Sequence, residues 1–447
     1  METSENIAKA GTTLKLSRVY TTWLPLMASW MLMSVELPFI NAIVARLANQ
    51  EVNLAAYGGI IYPLALIIEA PIINLLAAST ALSRDWDSYQ RLKKIMLWMG
   101  GTLTVIHALI AFTPLYDFIV NVILHSPAEV VEPGRIGLMF MLPWSFSIGY
   151  RRFQQGAMIR HGRSRMVGQT TLVRLLTVAA VLGTGYFLKT IPGATLAGMA
   201  QGLGVVAEAI YAGIMIRKLH PTIKQAPQVE TPLTVRRFTK FYIPLALTSF
   251  IGLLWQPFIS AAISRMPKPL ESLAVWSVIS GLFFMFRSPG MAFNEAVVAL
   301  LGEKNAYKVL RKFGYLAALG TFAIVLAFVV TPLSELWLSV ISNLEPNMVI
   351  EAKVALGLGV PLAVLTMFIS FFQGIIVNEE KTGAIAEAVV MFLVTMGIIL
   401  VIGIVTQTFP GVYVAATSFT AAHITQIIWL LVRSRKQRRV LREGVMA

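Results

Sequence analysis

Long apolar runs separated by short polar or charged stretches make up nearly all of the chain from residue 19 onward. Each run is long enough to cross a bilayer, which takes about 20 helical residues. The runs cover 19–46, 54–82, 95–122, 136–159, 165–188, 194–217, 238–265, 272–302, 313–341, 350–377, 383–407 and 411–433. They predict an all-α, polytopic membrane protein of twelve spans, the longer ones tilted or kinked. The first run is too long for the apolar core of a signal peptide and lacks a small-residue cleavage site, so it is expected to remain as a span.

The pattern also repeats. Sliding the sequence by 219 residues brings Pro38-Phe39-Ile40-Asn41-Ala42 onto Pro257-Phe258-Ile259-Ser260-Ala261, and Arg46 onto Arg265. At an offset of 218, Thr113-Pro114-Leu115 meets Thr331-Pro332-Leu333 and Pro143 meets Pro361. In the same register Gln155-Gly156 meets Gln373-Gly374, and Pro192-Gly193 meets Pro410-Gly411. A register held across spans and loops marks two copies of a six-span unit. Six spans return the chain to its starting side, so the copies are parallel repeats. The expected organisation is a six-helix lobe over 1–218, a Pro-containing linker over 219–237, a second lobe over 238–433 and a basic tail over 434–447. A cleft between repeats is the arrangement that alternating access uses.

Composition agrees with the pattern. Residues are 56% hydrophobic and 13% charged, about half the charged share of a soluble domain. The net charge of +15 therefore calls for a membrane explanation rather than nucleic acid, and loop position supplies it. The loops on the N-terminal side hold 27 Lys and Arg against six on the other, with four more inside spans. The positive-inside rule places both termini in the cytoplasm of a plasma-membrane protein. Absence of cysteine excludes disulfides, thiol nucleophiles and cysteine-ligated metal. There is no HExxH, GxSxG or Walker A sequence, so neither an enzyme nor an ATP-driven pump is expected, nor any metal or cofactor.

Ionisable residues at helix depth are the candidate chemistry, because each is costly in lipid unless it faces a cavity or a partner. The acids are Glu36, Glu69, Glu208 and Glu295; the bases are Arg151, Arg152, Arg174 and Arg287. Glu36 precedes Pro38, which recurs as Pro257 in span 7. A proline inside a span makes a bend point. Glu36 is then either an acid whose protonation couples to that bend or a fixed partner of an arginine. Glu69 and Arg287 stand 218 residues apart, so they are equivalent in the two repeats and are candidates to meet across the cleft, as gate or permanent pair, unless Arg287 is instead a site for a substrate anion. Arg287 is followed by Ser288-Pro289-Gly290 and then Asn294-Glu295, a sequence expected to break the helix and expose backbone. Arg151 and Arg152 lie close enough to the cytoplasmic end for snorkelling, while Arg174 is near that limit. Asn41, Gln155, Asn294 and Gln373 complete the candidate polar wall. His107 and His423 read as helix-packing groups, and Gly198, Gly202 and Gly204 as close helix contact.

The stretch Pro38–Leu47, followed by Leu54-Ala55-Ala56-Tyr57-Gly58, resembles span 1 and its exit in the MATE-like exporters of the multidrug/oligosaccharidyl-lipid/polysaccharide (MOP) superfamily. Ser83-Arg84-Asp85-Trp86-Asp87, without glycine, differs from the turn of the major facilitators. Within the superfamily, His107–Phe112, and Pro289 with Glu295 six residues later, look most like the progressive ankylosis (ANK) family. That resemblance implies a V-shaped twelve-helix bundle with spans 1, 2, 7 and 8 on the cleft. Glu36, Glu69, Arg287 and Glu295 would then stand on its walls. The family is associated with export of anions such as citrate, ATP or pyrophosphate. The aspartate usual in cation-exporting relatives falls near Ile40, and Glu36 is the only acid nearby.

The expected function is an alternating-access exporter of a small organic or phosphate-bearing anion, acting as a monomer and driven by a proton or sodium gradient or by the substrate's own gradient. A multidrug antiporter for organic cations, using Glu36, Glu69 and Glu295, is the alternative. A flippase for a lipid-linked saccharide is the third reading.

Overall fold

The computed structural model of the protein describes residues 13–229, 232–378 and 383–443. The expected spans all form as helices: α1 (Leu16–Val44), α2 (Gln50–Glu69), α3 (Trp86–Phe112), α5 (Ser164–Leu188), α6 (Gly193–Arg217) and α7 (Val235–Ile263). They continue as α8 (Pro269–Leu300), α9 (Ala306–Val330), α10 (Pro346–Val377), α11 (Gly383–Thr406) and α12 (Gly411–Arg433). Between α3 and α5, α4 runs as two segments, Ala128–Phe140 and Leu142–Arg160. The eleven others are long and apolar enough to cross a membrane; the second segment of α4 is more polar because it carries Arg151, Arg152, Gln154 and Gln155. A short helix α13 (Arg435–Glu443) follows α12. Residues 230–231 of the linker and 444–447 of the tail lie outside the described residues.

Prolines set where the longer runs divide. The run 95–122 is two pieces: α3 ends at Phe112, Thr113 is extended, and Pro114 leads into Leu115–Leu124. Its equivalent divides at Thr331-Pro332. Residue i−1 of a proline is pushed out of the helical region, which is why both breaks fall there. The run 54–82 likewise stops at Glu69, just before Pro71, and restarts as Leu75–Leu82.

The backbone repeats as the sequence does. Left-handed residues Asn49, His125 and Lys189 recur as Lys268, Asn343 and Gln407, at offsets of 219, 218 and 218. The helix restart at Glu36 recurs at Trp255, and the restart at Leu142 has its counterpart at Leu362. Pro38 and Pro257 each occupy the first turn after their restart, where the missing amide hydrogen costs nothing.

The compact units differ from the two sequence halves. One contains α1 as far as Ala42 and the C-terminal helices from Val275 onward; the other contains Ile43–Arg265. Thus α1 groups with α8–α12, and α7 with α2–α6. Specific contacts explain the exchange. In the first unit the Trp23 indole donates to the Pro289 carbonyl at 2.9 Å and packs edge-on against Phe313. Asn41 donates to the Ser277 carbonyl at 2.7 Å, while the Ser277 hydroxyl donates back to its amide oxygen at 3.0 Å. In the second unit the Tyr242 hydroxyl on α7 donates to the Pro71 carbonyl at 2.7 Å, and Asn74 donates to the Leu245 carbonyl at 2.8 Å. Arg265 donates to the carbonyls of Val122, Ile123 and Leu124, closing the end of that short helix.

Candidate functional site

Three arginines and two glutamates meet inside the α2–α7 unit. Glu208 on α6 is fully buried, and its carboxylate lies 3.3 Å from Arg151 Nη1 and 3.7 Å from Arg174 Nε. Gln155 Nε2 donates to the same carboxylate at 2.9 Å and to the Thr170 hydroxyl at 2.9 Å. Glu69, buried at the end of α2, feels the charges of Arg151, Arg152 and Arg174, with the Trp144 indole alongside. Two carboxylates against three guanidiniums leave one net positive charge. Close packing of α6 makes this cluster possible. A Cβ on Gly198 would stand 2.4 Å from the Gly137 carbonyl oxygen, and one on Gly202 2.7 Å from that of Phe140. At Gly204 it would meet Val178 at 2.5 Å and the Arg174 side chain at 3.3 Å. These glycines act as helix contacts, as expected.

Snorkelling does not describe Arg151, which is 5% exposed and turned inward to Glu208. The reason is physical: the fully buried Glu208 carboxylate would be left with less compensation if the guanidinium went to the interface. Arg174 is buried beside it, whereas Arg152 is half-buried.

The other unit holds the second constellation, on α8, α10 and α12. Arg287 is half-buried; its Nε donates to the Thr366 hydroxyl at 3.2 Å, and its guanidinium carbon lies 5.2 Å from the centre of the Phe419 ring. Among the described residues no carboxylate pairs with it. His423 stands near Arg287, with its Nδ1 2.7 Å from the Phe419 carbonyl oxygen and its ring against Phe392. Asn294 donates to the Ser370 carbonyl at 3.1 Å, and Gln373 is half-buried on α10. Contrary to the expected break, α8 runs unbroken through Pro289 from Pro269 to Leu300. Gly290 serves close approach instead: a Cβ there would stand 2.8 Å from the Met367 backbone nitrogen of α10. Proline within a span is tolerated where neighbours satisfy the freed groups, and the Pro289 carbonyl is taken up by Trp23.

On α1, Glu36 is buried and opens the helical segment after the break. The positive end of a helix dipole favours a carboxylate in that position. The Asn41 amide is engaged with Ser277 and so acts as a clamp between α1 and α8. Glu295 is exposed and accepts from the Trp30 indole at 2.9 Å. His107 is buried, with Nε2 3.0 Å from the Leu138 carbonyl oxygen, a packing role as expected.

The structure thus gathers Glu69, Arg152, Arg174 and Gln155 at one site. Arg287, Asn294 and Gln373 lie on α8 and α10 of the other unit, Arg287 on Thr366 and Asn294 on Ser370. Glu69 and Arg287 each find their contacts within their own unit. Sequence reasoning missed Thr170, Trp144, Thr366 and Phe419. Only Trp144, a large donor directly after Pro143 within a span, carried a visible signal. The repeat explains why the two sites differ. An offset of 218 carries Arg151 to Ile369, Arg174 to Phe392 and Glu208 to Gln426, so the arginine–glutamate cluster exists in one copy only.

No known protein-family model matches the sequence. Solved structures do match. A multidrug resistance MATE family transporter of the MOP superfamily, in an inward-facing conformation, aligns with a TM-score of 0.71 at 15% identity, covering 93% of this chain and 98% of that one. A MOP superfamily transporter from Pyrococcus furiosus, reported with a binding pocket of reverse polarity, aligns at 0.66 and 15% identity over 97% and 100%. The lipid II flippase MurJ, in an inward closed conformation, aligns at 0.67 and 12% identity over 93% and 89%. This chain is an integral membrane protein with the twelve-helix fold of the MATE-like transporters.

Proposed function

We propose that the chain is an alternating-access exporter of a small organic or phosphate-bearing anion, of the kind associated with the ANK family. The observation that carries this reading is Arg287. It is half-buried in a span, bonded to a neutral hydroxyl and an aromatic face, with no carboxylate partner among the described residues. An arginine so placed retains donors for a carboxylate or phosphate, which guanidinium matches in geometry and charge. The net positive Glu69/Arg151/Arg152/Arg174/Glu208 cluster supports the same sign of substrate. The Pyrococcus furiosus protein of the same fold is reported with a binding pocket of reverse polarity that suggests a different function, which agrees with a fold whose pocket charge varies.

Glu36 is the proposed coupling acid. It is buried beside the helix restart and Pro38, so binding of a proton or sodium there acts on a bend already present. Movement about Pro38 and Pro257 then accompanies the exchange of access.

The test is uptake into proteoliposomes of citrate, pyrophosphate and ATP beside a cationic dye and a lipid-linked diphosphate, with and without a pH gradient. Anion flux is expected. Gradient-driven dye flux without anion flux would establish the cation antiporter instead, and lipid translocation alone would establish the flippase.

A further inference from the structure

On the side that the charge bias assigns to the cytoplasm, α9, α10, α12 and α13 enclose a cavity of about 90 Å³ that the transport reading does not use. Ten residues line it, and the only charged ones are Arg311 and Arg438. Arg311 lies over the Tyr307 ring at 5.6 Å and Arg438 over Phe372 at 5.4 Å. Both are half-buried, and among the described residues neither forms an ion pair. Arg438 spends Nη2 on the Leu431 carbonyl at 2.7 Å and Nε on the Ser434 hydroxyl at 3.2 Å, which leaves Nη1 for a ligand. Stacking on aromatic faces holds both guanidiniums in place without neutralising them.

The mouth of the cavity continues onto an apolar surface. Tyr315 at its edge is 58% exposed and packs edge-on against Phe368 at 5.3 Å. Leu316 and Leu319, further along α9, are 55% and 67% exposed. Eight residues of helix separate Arg311 from Leu319, about 12 Å along the axis at 1.5 Å per residue, so the apolar face extends from the arginines toward the bilayer interior. Two arginines with no ion pair among the described residues, above an exposed apolar helix face, fit one chemistry: a phosphate carried on an acyl chain.

We propose that this cavity binds the phosphate of an anionic phospholipid, with Arg311 and Arg438 as its ligands and the outer face of α9 against the acyl chains. The binding ties α13, through Arg438, to α9 and α10. It does not depend on what the transporter carries.

The experiment is native mass spectrometry of the full chain in neutral detergent, titrated with dioleoylphosphatidylglycerol or dioleoylphosphatidylcholine. A phosphatidylglycerol adduct retained in preference to phosphatidylcholine is expected. Each arginine replaced, in Arg311→Gln and in the double variant with Arg438→Gln, weakens it by about tenfold, the lower end for a charge-assisted contact. Lys308→Gln with Lys312→Gln, on the same helix and outside the cavity, leaves it unchanged. Arg311→Gln spares the hydrogen bonds of α13, so its circular dichroism and melting temperature should match the parent's. Equal retention of both lipids would overturn the proposal, as would equal loss in the lysine pair. Displacement of the lipid by millimolar inorganic phosphate would reassign the cavity to a soluble phosphate compound and overturn the lipid assignment.

Discussion

Arg151 and Arg287 are both arginines within spans, yet their surroundings assign them opposite kinds of work. Arg151 is buried against Glu208, which Arg174, Gln155 and Thr170 also hold. Removing the shared carboxylate strips two buried guanidiniums of an ion-pair partner, a loss of about 3–5 kcal/mol for a broken buried pair. Glu208→Ala is therefore expected to lower the melting temperature in detergent sharply and to reduce yield. An unchanged melting temperature would show that the cluster is not structural. Among the described residues Arg287 has no such partner to strand, so Arg287→Ala should leave stability near the parent's. None of this was legible from residue types alone: Arg151 and Glu208 are 57 positions apart, and the span pattern does not say which faces of α4 and α6 meet. The glycines Gly198 and Gly202 were the one local signal that α6 approaches another helix closely.

At the scale of the element, the breaks in α1 and α7 were readable from Pro38 and Pro257, because proline acts on its own turn. The continuity of α8 through Pro289 was not, since it rests on Trp23 and on the close approach that Gly290 permits to α10. The linker is tied down in a way that sequence did not disclose. Asp85 caps α3 by accepting from the Ser88 amide at 2.8 Å, and also accepts from the Val229 amide at 2.8 Å. Burial pushes its carboxyl upward, but the amide hydrogen bonds from Val229 and Ser88 outweigh this and hold it below the ordinary aspartate value. A depressed folded value means stabilisation that is complete above the unfolded value near 3.8 and is lost as pH falls through the folded one. Limited proteolysis should therefore find the linker protected at neutral pH and more readily cut under strong acid, using an acid-active protease. Asp85→Ala should be cut faster at neutral pH, with about 1 kcal/mol of cap stabilisation removed. Equal cleavage of parent and variant would refute the latch.

For the whole molecule, apolar run length and a repeat near 218 residues sufficed to read a twelve-helix, two-copy membrane fold. Both rest on local hydrophobicity and chain register, which sequence carries directly. The grouping of α1 with α8–α12, and of α7 with α2–α6, was beyond reach because α1 and α7 are nearly equally apolar, with mean hydropathies of 1.4 and 1.5. Topology is open to direct test, since the chain has no cysteine and single cysteines report without background. Thr190→Cys and Thr408→Cys should react with a membrane-impermeant maleimide added outside intact cells, and Gln228→Cys only after lysis. The reverse labelling would invert the orientation inferred from loop charge.

On the proposed reading, Arg287 meets the charge of a transported anion. The most direct test is anion counterflow in proteoliposomes containing parent, Arg287→Ala or Arg287→Lys protein at matched incorporation and melting temperature. One charge-assisted contact is worth about 1.5–3 kcal/mol, or roughly 10–150-fold. Flux through the alanine variant should fall within that range, with partial recovery in lysine. Parental flux in Arg287→Ala would remove the proposed anion contact and leave Arg287 as a packing residue between Thr366 and Phe419.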